Sequence, residues 1–237
     1  MKKILVLGIV LLGIFLIYLS TLDKKVYFLS LGDEISQGIN LYNKKDYNYN
    51  DYIKEYLENK KVLETYINLY FNDNMRTIDL IDYIEENKEI VVEGKKKTIK
   101  NALIKADLVT LSIGSNDVVS KLLLKNNYTK EELYNYLDEY LKDIENLFKL
   151  MRQYCKEDIV FIGYYNIFND DTYNEYFEYL NKKVKKISNN YEINFVDIMD
   201  DIKNDKINNN FYPTKDGHIS IGKKIIDIVD DKILNKN

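Results

Sequence analysis

The chain of 237 residues has no tryptophan, one proline (Pro213), one cysteine (Cys155) and one histidine (His218). A single thiol excludes an internal disulfide, and Cys155 belongs to no metal-ligand spacing, so it reads as a small buried apolar residue. One imidazole leaves His218 as the sole source of histidine chemistry. The shortage of Pro and Trp beside abundant Lys, Asn, Ile and Tyr is the composition of an AT-rich bacterial gene and carries no mechanism. An excess of one charge is missing too. The 34 basic and 38 acidic residues leave a formal charge of −4, which gives no electrostatic footprint for a nucleic acid. No break in composition and no repeat divides the chain, and its length suits one α/β domain with a sizeable core. No cofactor and no metal ligand set is expected.

What is there begins with the first segment. Met1-Lys-Lys precedes an apolar run from Ile4 to Leu19, extended by Ser20-Thr21-Leu22. At about nineteen residues the run is just long enough to span a bilayer as a helix. Lys2 and Lys3 favour a cytoplasmic N-terminus, although Lys24 and Lys25 on the far side weaken the asymmetry. No small-x-small cleavage site precedes the charged residues, and no cysteine follows to carry lipid. Residues 1–22 are therefore expected to be an uncleaved anchor, with the domain 23–237 outside the cytoplasm. Cleavage of the segment as a signal peptide would make the protein secreted.

Beyond Asp23, short apolar runs alternate with longer amphipathic ones, the pattern of parallel strands joined by helices. Candidate strands are Val26 to Leu31, Val62 to Tyr70, Leu108 to Ile113, Ile159 to Gly163 and Ile193 to Val196, each apolar enough to be covered on both faces. Helical periodicity is clearest from Lys130 to Tyr154, where Leu133, Tyr136, Leu137, Tyr140, Leu141, Ile144, Leu147, Phe148 and Met151 recur at three- and four-residue steps. Further helices are expected over Tyr47 to Glu58, Ile78 to Glu86, Asp170 to Ser188 and Asp216 to Leu234. The lysine-rich, hairpin-like stretch Glu93 to Lys97 reads as disordered. Ligands of open parallel sheets sit beyond the carboxyl ends of the strands, which points to three polar loops: Gly32-Asp-Glu34, Asn72-Asp-Asn-Met-Arg-Thr77 and Gly114-Ser-Asn-Asp117.

Those loops, in that order, resemble the blocks of the SGNH/GDSL hydrolase family, in its bacterial lipase/acylhydrolase-like branch. Lys105-Ala-Asp-Leu-Val-Thr-Leu-Ser-Ile-Gly-Ser-Asn-Asp117 is similar to the strand that runs into the family's Gly-x-Asn-Asp motif. Gly163-Tyr-Tyr-Asn-Ile-Phe168 is similar to the segment after its fourth strand. The resemblance implies a flavodoxin-like three-layer sandwich around a five-stranded parallel sheet. It also implies a serine nucleophile after the first strand, an oxyanion hole of a backbone N–H, a glycine and an asparagine, and an Asp-x-x-His pair before the last helix. Matched position by position, Glu34 stands at the serine, Asn74 at the oxyanion glycine, Asn209 at the aspartate and Tyr212 at the histidine. Asn116 is the family's asparagine, retained.

Each replacement weakens ester hydrolysis. A serine hydroxyl attacks because an oriented imidazole takes its proton, and a phenol with an ordinary pKa of about 10 is a poor base near neutrality. A fixed carboxylate beside an oxyanion hole opposes stabilisation that is worth roughly 3–4 kcal/mol per donor. The carboxylate of Glu34 is expected to accept hydrogen bonds from the hole itself. Ser36, two residues on, should turn toward the following helix, and His218 in Asp216-Gly-His218 should pack locally. Asp117 is expected to cap the helix after its own strand. Arg76 and Ser115 are candidate ligand-binding residues. The reading favoured by these residues is an anchored domain that has lost hydrolysis and binds or scaffolds at the cell envelope, its ligand a carbohydrate, a lipid or a protein. The alternatives are an esterase or acylhydrolase on lipid or carbohydrate esters, with Glu34 and Tyr212 as an acid–base pair, and a domain whose pocket is simply filled.

Overall fold

A computed structural model describes residues 25–39, 44–92, 94–124, 127–168, 170–203 and 212–235. The expected anchor over 1–22 and the family position Asn209 lie outside these residues. Among the described residues no helix is long and apolar enough to cross a membrane. In chain order, β1 (Val26–Gly32) leads into the one-turn helix α1 (Glu34–Gln37) and then α2 (Tyr49–Asn59), and β2 (Leu63–Ile67) into α3 (Thr77–Glu85). A hairpin of β3 (Glu89–Val92) and β4 (Lys95–Thr98) precedes α4 (Ile99–Lys105), β5 (Leu108–Ser112) and α5 (Ser115–Leu122). The long α6 (Lys130–Tyr154), β6 (Asp158–Ile162), α7 (Asn174–Asn190), β7 (Asn194–Val196), α8 (Met199–Lys203) and α9 (Lys215–Val229) complete the domain.

The main sheet has five parallel strands in the order β2-β1-β5-β6-β7. The chain goes from β1 to one side and then crosses to the other, which is the flavodoxin-like order with its switch point between β1 and β5. Every residue of β1 and β5 is buried, because helices cover both faces. Alternate residues divide between two cores. Leu29, Leu31, Val109, Leu111 and Phe161 face the layer built from α3, α4, α6 and α7, while Val26, Phe28, Leu108, Val160 and Ile162 face α2 and α9. Helix α6 is fixed at its start by a reciprocal cap: Thr129 N donates to Glu132 at 2.7 Å and Glu132 N donates to Thr129 Oγ1 at 3.2 Å. Its buried stripe runs from Leu133 to Met151, each large side chain contributing about 1.5–3 kcal/mol by leaving water.

Three sequence expectations need adjustment. The second strand stops at Ile67, because the chain beyond it turns Leu69 outward, 52% exposed, and Tyr70 inward. The stretch expected to be disordered is instead ordered at Lys95–Thr98, paired antiparallel with Glu89–Val92; Glu93 itself is not described. The helix expected from Asp170 is preceded by a 3₁₀ turn over Asp171–Tyr173 and begins at Asn174. Cys155 is fully buried at the end of α6, and burial pushes its thiol up to about 11.

Candidate functional site

The site forms where β1 and β5 end side by side. Gly32 closes β1 with φ at +129°, and a Cβ there would lie 1.8 Å from the Ser112 carbonyl oxygen, so only glycine lets the two strand ends approach so closely. That approach lets Asp33 N donate to Ser112 O at 2.8 Å. Asp33 then caps α1. Its Oδ1 accepts from Ile35 N at 3.2 Å and from Ser112 Oγ at 3.1 Å, and its carboxyl also meets the Ser115 backbone N–H. The side chain is wholly buried, and Oδ2 has no hydrogen-bond partner among the described residues. Burial first, and the neighbouring Glu34 second, push the Asp33 carboxyl up to about 8 despite those donors. Near neutral pH Asp33 is thus largely protonated.

Glu34 is the first residue of α1 and is 9% exposed. Its Oε1 accepts from the Asn74 backbone N–H at 2.5 Å and its Oε2 from Asn116 Nδ2 at 2.9 Å. Asn74 adopts φ +56°, a left-handed conformation that asparagine tolerates better than most residues with a Cβ. It therefore presents its N–H as a glycine at that place would. Asn116 sits in the first turn of α5, held by a second bond from Nδ2 to Met75 O at 3.0 Å. The two donors at the positions of the resembled oxyanion hole thus close on the carboxylate of the same site.

Tyr212, half-buried just before α9, lines one cavity with Asp33, Glu34, Ser115 and Asn116. The cavity measures about 200 Å³, and its remaining lining is apolar or aromatic: Ile35, Val119, Leu123, Tyr165 and Ile167. Burial, then Glu34, then Asp33, raise the Tyr212 phenol above its ordinary range. A phenol so placed holds its proton, so near neutral pH even less of it than of free tyrosine is present as the phenolate that could act as a base.

The other candidates fall outside this cavity. Arg76 is half-exposed and donates from Nε to Asp117 Oδ1 at 3.1 Å. Asp117 does not cap its own helix; its Oδ2 accepts from Thr77 N at 3.0 Å and Thr77 Oγ1 at 3.2 Å, capping α3 instead. The reason is reach: at the third position of α5 its carboxylate faces the N-terminus of α3 rather than the preceding turn. Ser36 is buried with its hydroxyl donating to Asp33 O at 2.7 Å. His218 is buried and stacks on Tyr49 with ring centroids 6.1 Å apart, while Asp216 is exposed. No group of three or more His, Cys, Asp or Glu that could hold a metal occurs among the described residues.

Sequence reasoning placed Tyr140 in the core stripe of the long helix but missed the hydrogen bonds that support the site from behind. Tyr140 and Tyr164 share a hydroxyl–hydroxyl bond of 2.5 Å, Tyr164 also reaches Ile113 O at 3.2 Å, and Thr77 Oγ1 lies 3.4 Å from the Tyr140 hydroxyl. The pair packs against Gly114, where a Cβ would sit 1.7 Å from the Tyr140 oxygen. Of the wall residues not singled out, Val119 and Leu123 carry no motif, whereas Tyr165 and Ile167 lie within the block Gly163 to Phe168. The one available signal was their closeness in sequence to Asn116 and to Gly163.

Residues 28–225 match the family of GDSL-like lipases and acylhydrolases. No curated protein sequence matches the chain. Among solved structures, an acetylxylan esterase from Geobacillus stearothermophilus (Axe2) is similar at a TM-score of 0.64 and 17% identity, over 91% of this chain and 99% of that one. The lipase Lip_vut3 from a goat rumen metagenome is similar at a TM-score of 0.67 and 16% identity, over 84% of this chain and 95% of that one. At such identity the likeness speaks for the fold alone.

Proposed function

Starting from a chain that belongs to the GDSL-like lipase/acylhydrolase family, we propose that this member binds a ligand in the family's pocket and does not hydrolyse esters. The observation that carries the reading is the seat of Glu34. Its carboxylate accepts from Asn74 N and Asn116 Nδ2, so the donors that would stabilise a developing oxyanion are already engaged by a like charge. An ester carbonyl entering the cavity would have to displace a charge-assisted pair of hydrogen bonds, each worth about 1.5–3 kcal/mol. Tyr212, raised above its ordinary range, is a poor substitute for the imidazole of the resembled triad. The apolar run Ile4 to Leu19 after Lys2 and Lys3 supports placement at the cell membrane in a single pass, with the domain outside the cytoplasm. There its partner would be an envelope carbohydrate, lipid or protein.

A second reading, hydrolysis of lipid or carbohydrate esters by Glu34 and Tyr212, draws on the fact that both line one cavity. The two are separated by one assay. The full-length chain and Glu34→Gln are tested on p-nitrophenyl acetate and on acetylated xylo-oligosaccharides. The binding reading expects neither protein to exceed buffer. Turnover by the wild type that disappears in Glu34→Gln would overturn it.

A further inference from the structure

We infer that the cavity takes a monocationic headgroup, an amine or quaternary ammonium group carried on a short apolar stem. The inference rests on the binding reading and gives its ligand a chemistry. Glu34 keeps unused lone pairs, since each carboxylate oxygen accepts one bond and has room for another. Asp33 also lines the cavity, and its buried Oδ2 has no hydrogen-bond partner among the described residues. Among the described residues no lysine, arginine or histidine lines the cavity to offset the charge of Glu34. The negative charge of Glu34 also contributes, after burial, to raising the Asp33 carboxyl and the Tyr212 phenol beside it.

The walls suit the same ligand. Tyr165 and Tyr212 supply aromatic rings, and a desolvated cation at a ring face gains about 2 kcal/mol or more. Ile35, Val119, Leu123 and Ile167 supply apolar contact for a stem, and Leu123, 61% exposed, stands where the cavity meets solvent. In the resembled hydrolases the same place accommodates a developing negative charge. Here the sign has been inverted, because a fixed carboxylate occupies the hole and repels anions. The structure thus favours a cation over a neutral molecule of identical shape, and a neutral molecule over a carboxylate.

That ordering is testable without any variant. Binding of choline, of its neutral carbon isostere 3,3-dimethylbutan-1-ol and of 3,3-dimethylbutanoate to the full-length protein is measured by ligand-observed NMR at one salt concentration. Choline should bind at least tenfold more tightly than the alcohol, and the carboxylate least tightly. Equal binding of choline and the alcohol, or the reverse order, overturns the inference. Glu34→Gln should reduce the choline preference to near unity. Leu123→Lys, which brings a positive charge to the opening and removes one apolar wall residue, should weaken choline by a larger factor than it weakens the alcohol. A preference that survives both changes places the cation elsewhere and also overturns the inference. Decyltrimethylammonium below its micelle concentration distinguishes sources: affinity that rises with the tail marks a lipid-type headgroup, and affinity equal to that of choline marks a free cation, either result carrying the inference. Ester turnover is followed on the same sample. Turnover lost in Glu34→Gln would remove the non-hydrolytic reading, whereas no turnover with no cation preference removes only this inference.

Discussion

Replacing Asp33 with asparagine should stabilise the protein increasingly as pH rises from 5 to 8. In the unfolded chain this carboxyl ionises near its ordinary 3.8, and in the fold burial holds it up to about 8. Between those values the unfolded state has released a proton that the folded state keeps, so stability falls as pH rises. The slope is about 1.4 kcal/mol per pH unit, and three units therefore remove on the order of 4 kcal/mol. Below pH 4 both states are protonated and the loss vanishes; above about 8 both are ionised and it levels off. Asparagine keeps the shape and the acceptor for Ile35 N but carries no charge at any pH. Groups away from this site contribute equally in both proteins, so the difference between them reports on Asp33 together with its contact with Glu34. Urea unfolding followed by circular dichroism at pH 5, 6.5 and 8 gives that difference. An advantage of Asp33→Asn that grows by several kcal/mol supports the account, and one that stays constant across the three pH values refutes it.

Three further outcomes are expected. Gly32→Ala should cost roughly 3 kcal/mol or more in the same unfolding assay, since its Cβ has no room beside Ser112 O and φ is +129°; a loss below 1 kcal/mol would show that the strand ends can part. Asp117→Ala should cost about 1–3 kcal/mol because it orphans Thr77 N at the start of α3, whereas Arg76→Ala, removing only a half-exposed partner, should cost under about 1 kcal/mol; equal losses would contradict that division. The triple change Glu34→Ser, Asn209→Asp, Tyr212→His should raise p-nitrophenyl acetate turnover at least about a hundredfold over the wild type; a revertant that folds and remains inert would argue against the proposed match of positions.

Much of this architecture was legible because burial on both faces leaves continuous apolar runs. Val26 to Leu31 and Leu108 to Ile113 sit within one or two residues of β1 and β5, and Lys130 to Tyr154 coincides with α6. A helix after the third strand was expected, but the bounds of α5 were not legible, since Ser115-Asn-Asp reads as a polar loop and its buried face is only Asp117, Val118 and Leu122. The order of the hairpin was hidden by its lysines, because Lys95 and Lys96 stand in water while the backbone makes the ladder. At the site, Glu34, Asn74 and Asn116 were legible from their blocks, because a backbone donor depends on conformation and asparagine can adopt the left-handed one. The protonated state of Asp33 was not. It depends on complete burial beside Glu34, and no pattern in Gly-Asp-Glu reports burial. Asp117 binds Thr77 forty residues away, and the Tyr140–Tyr164 pair joins α6 to the end of β6, long-range contacts that local periodicity does not encode.

The central claim is that the carboxylate of Glu34 occupies the hole, and the backbone amide of Asn74 reports on it directly. A 2.5 Å bond from that N–H to a carboxylate should place the amide proton far downfield in an NMR spectrum of the full-length protein. In Glu34→Ala the signal should return to the ordinary amide range while resonances of the distant α6 stay in place. An Asn74 proton at the same position in both proteins would contradict the account.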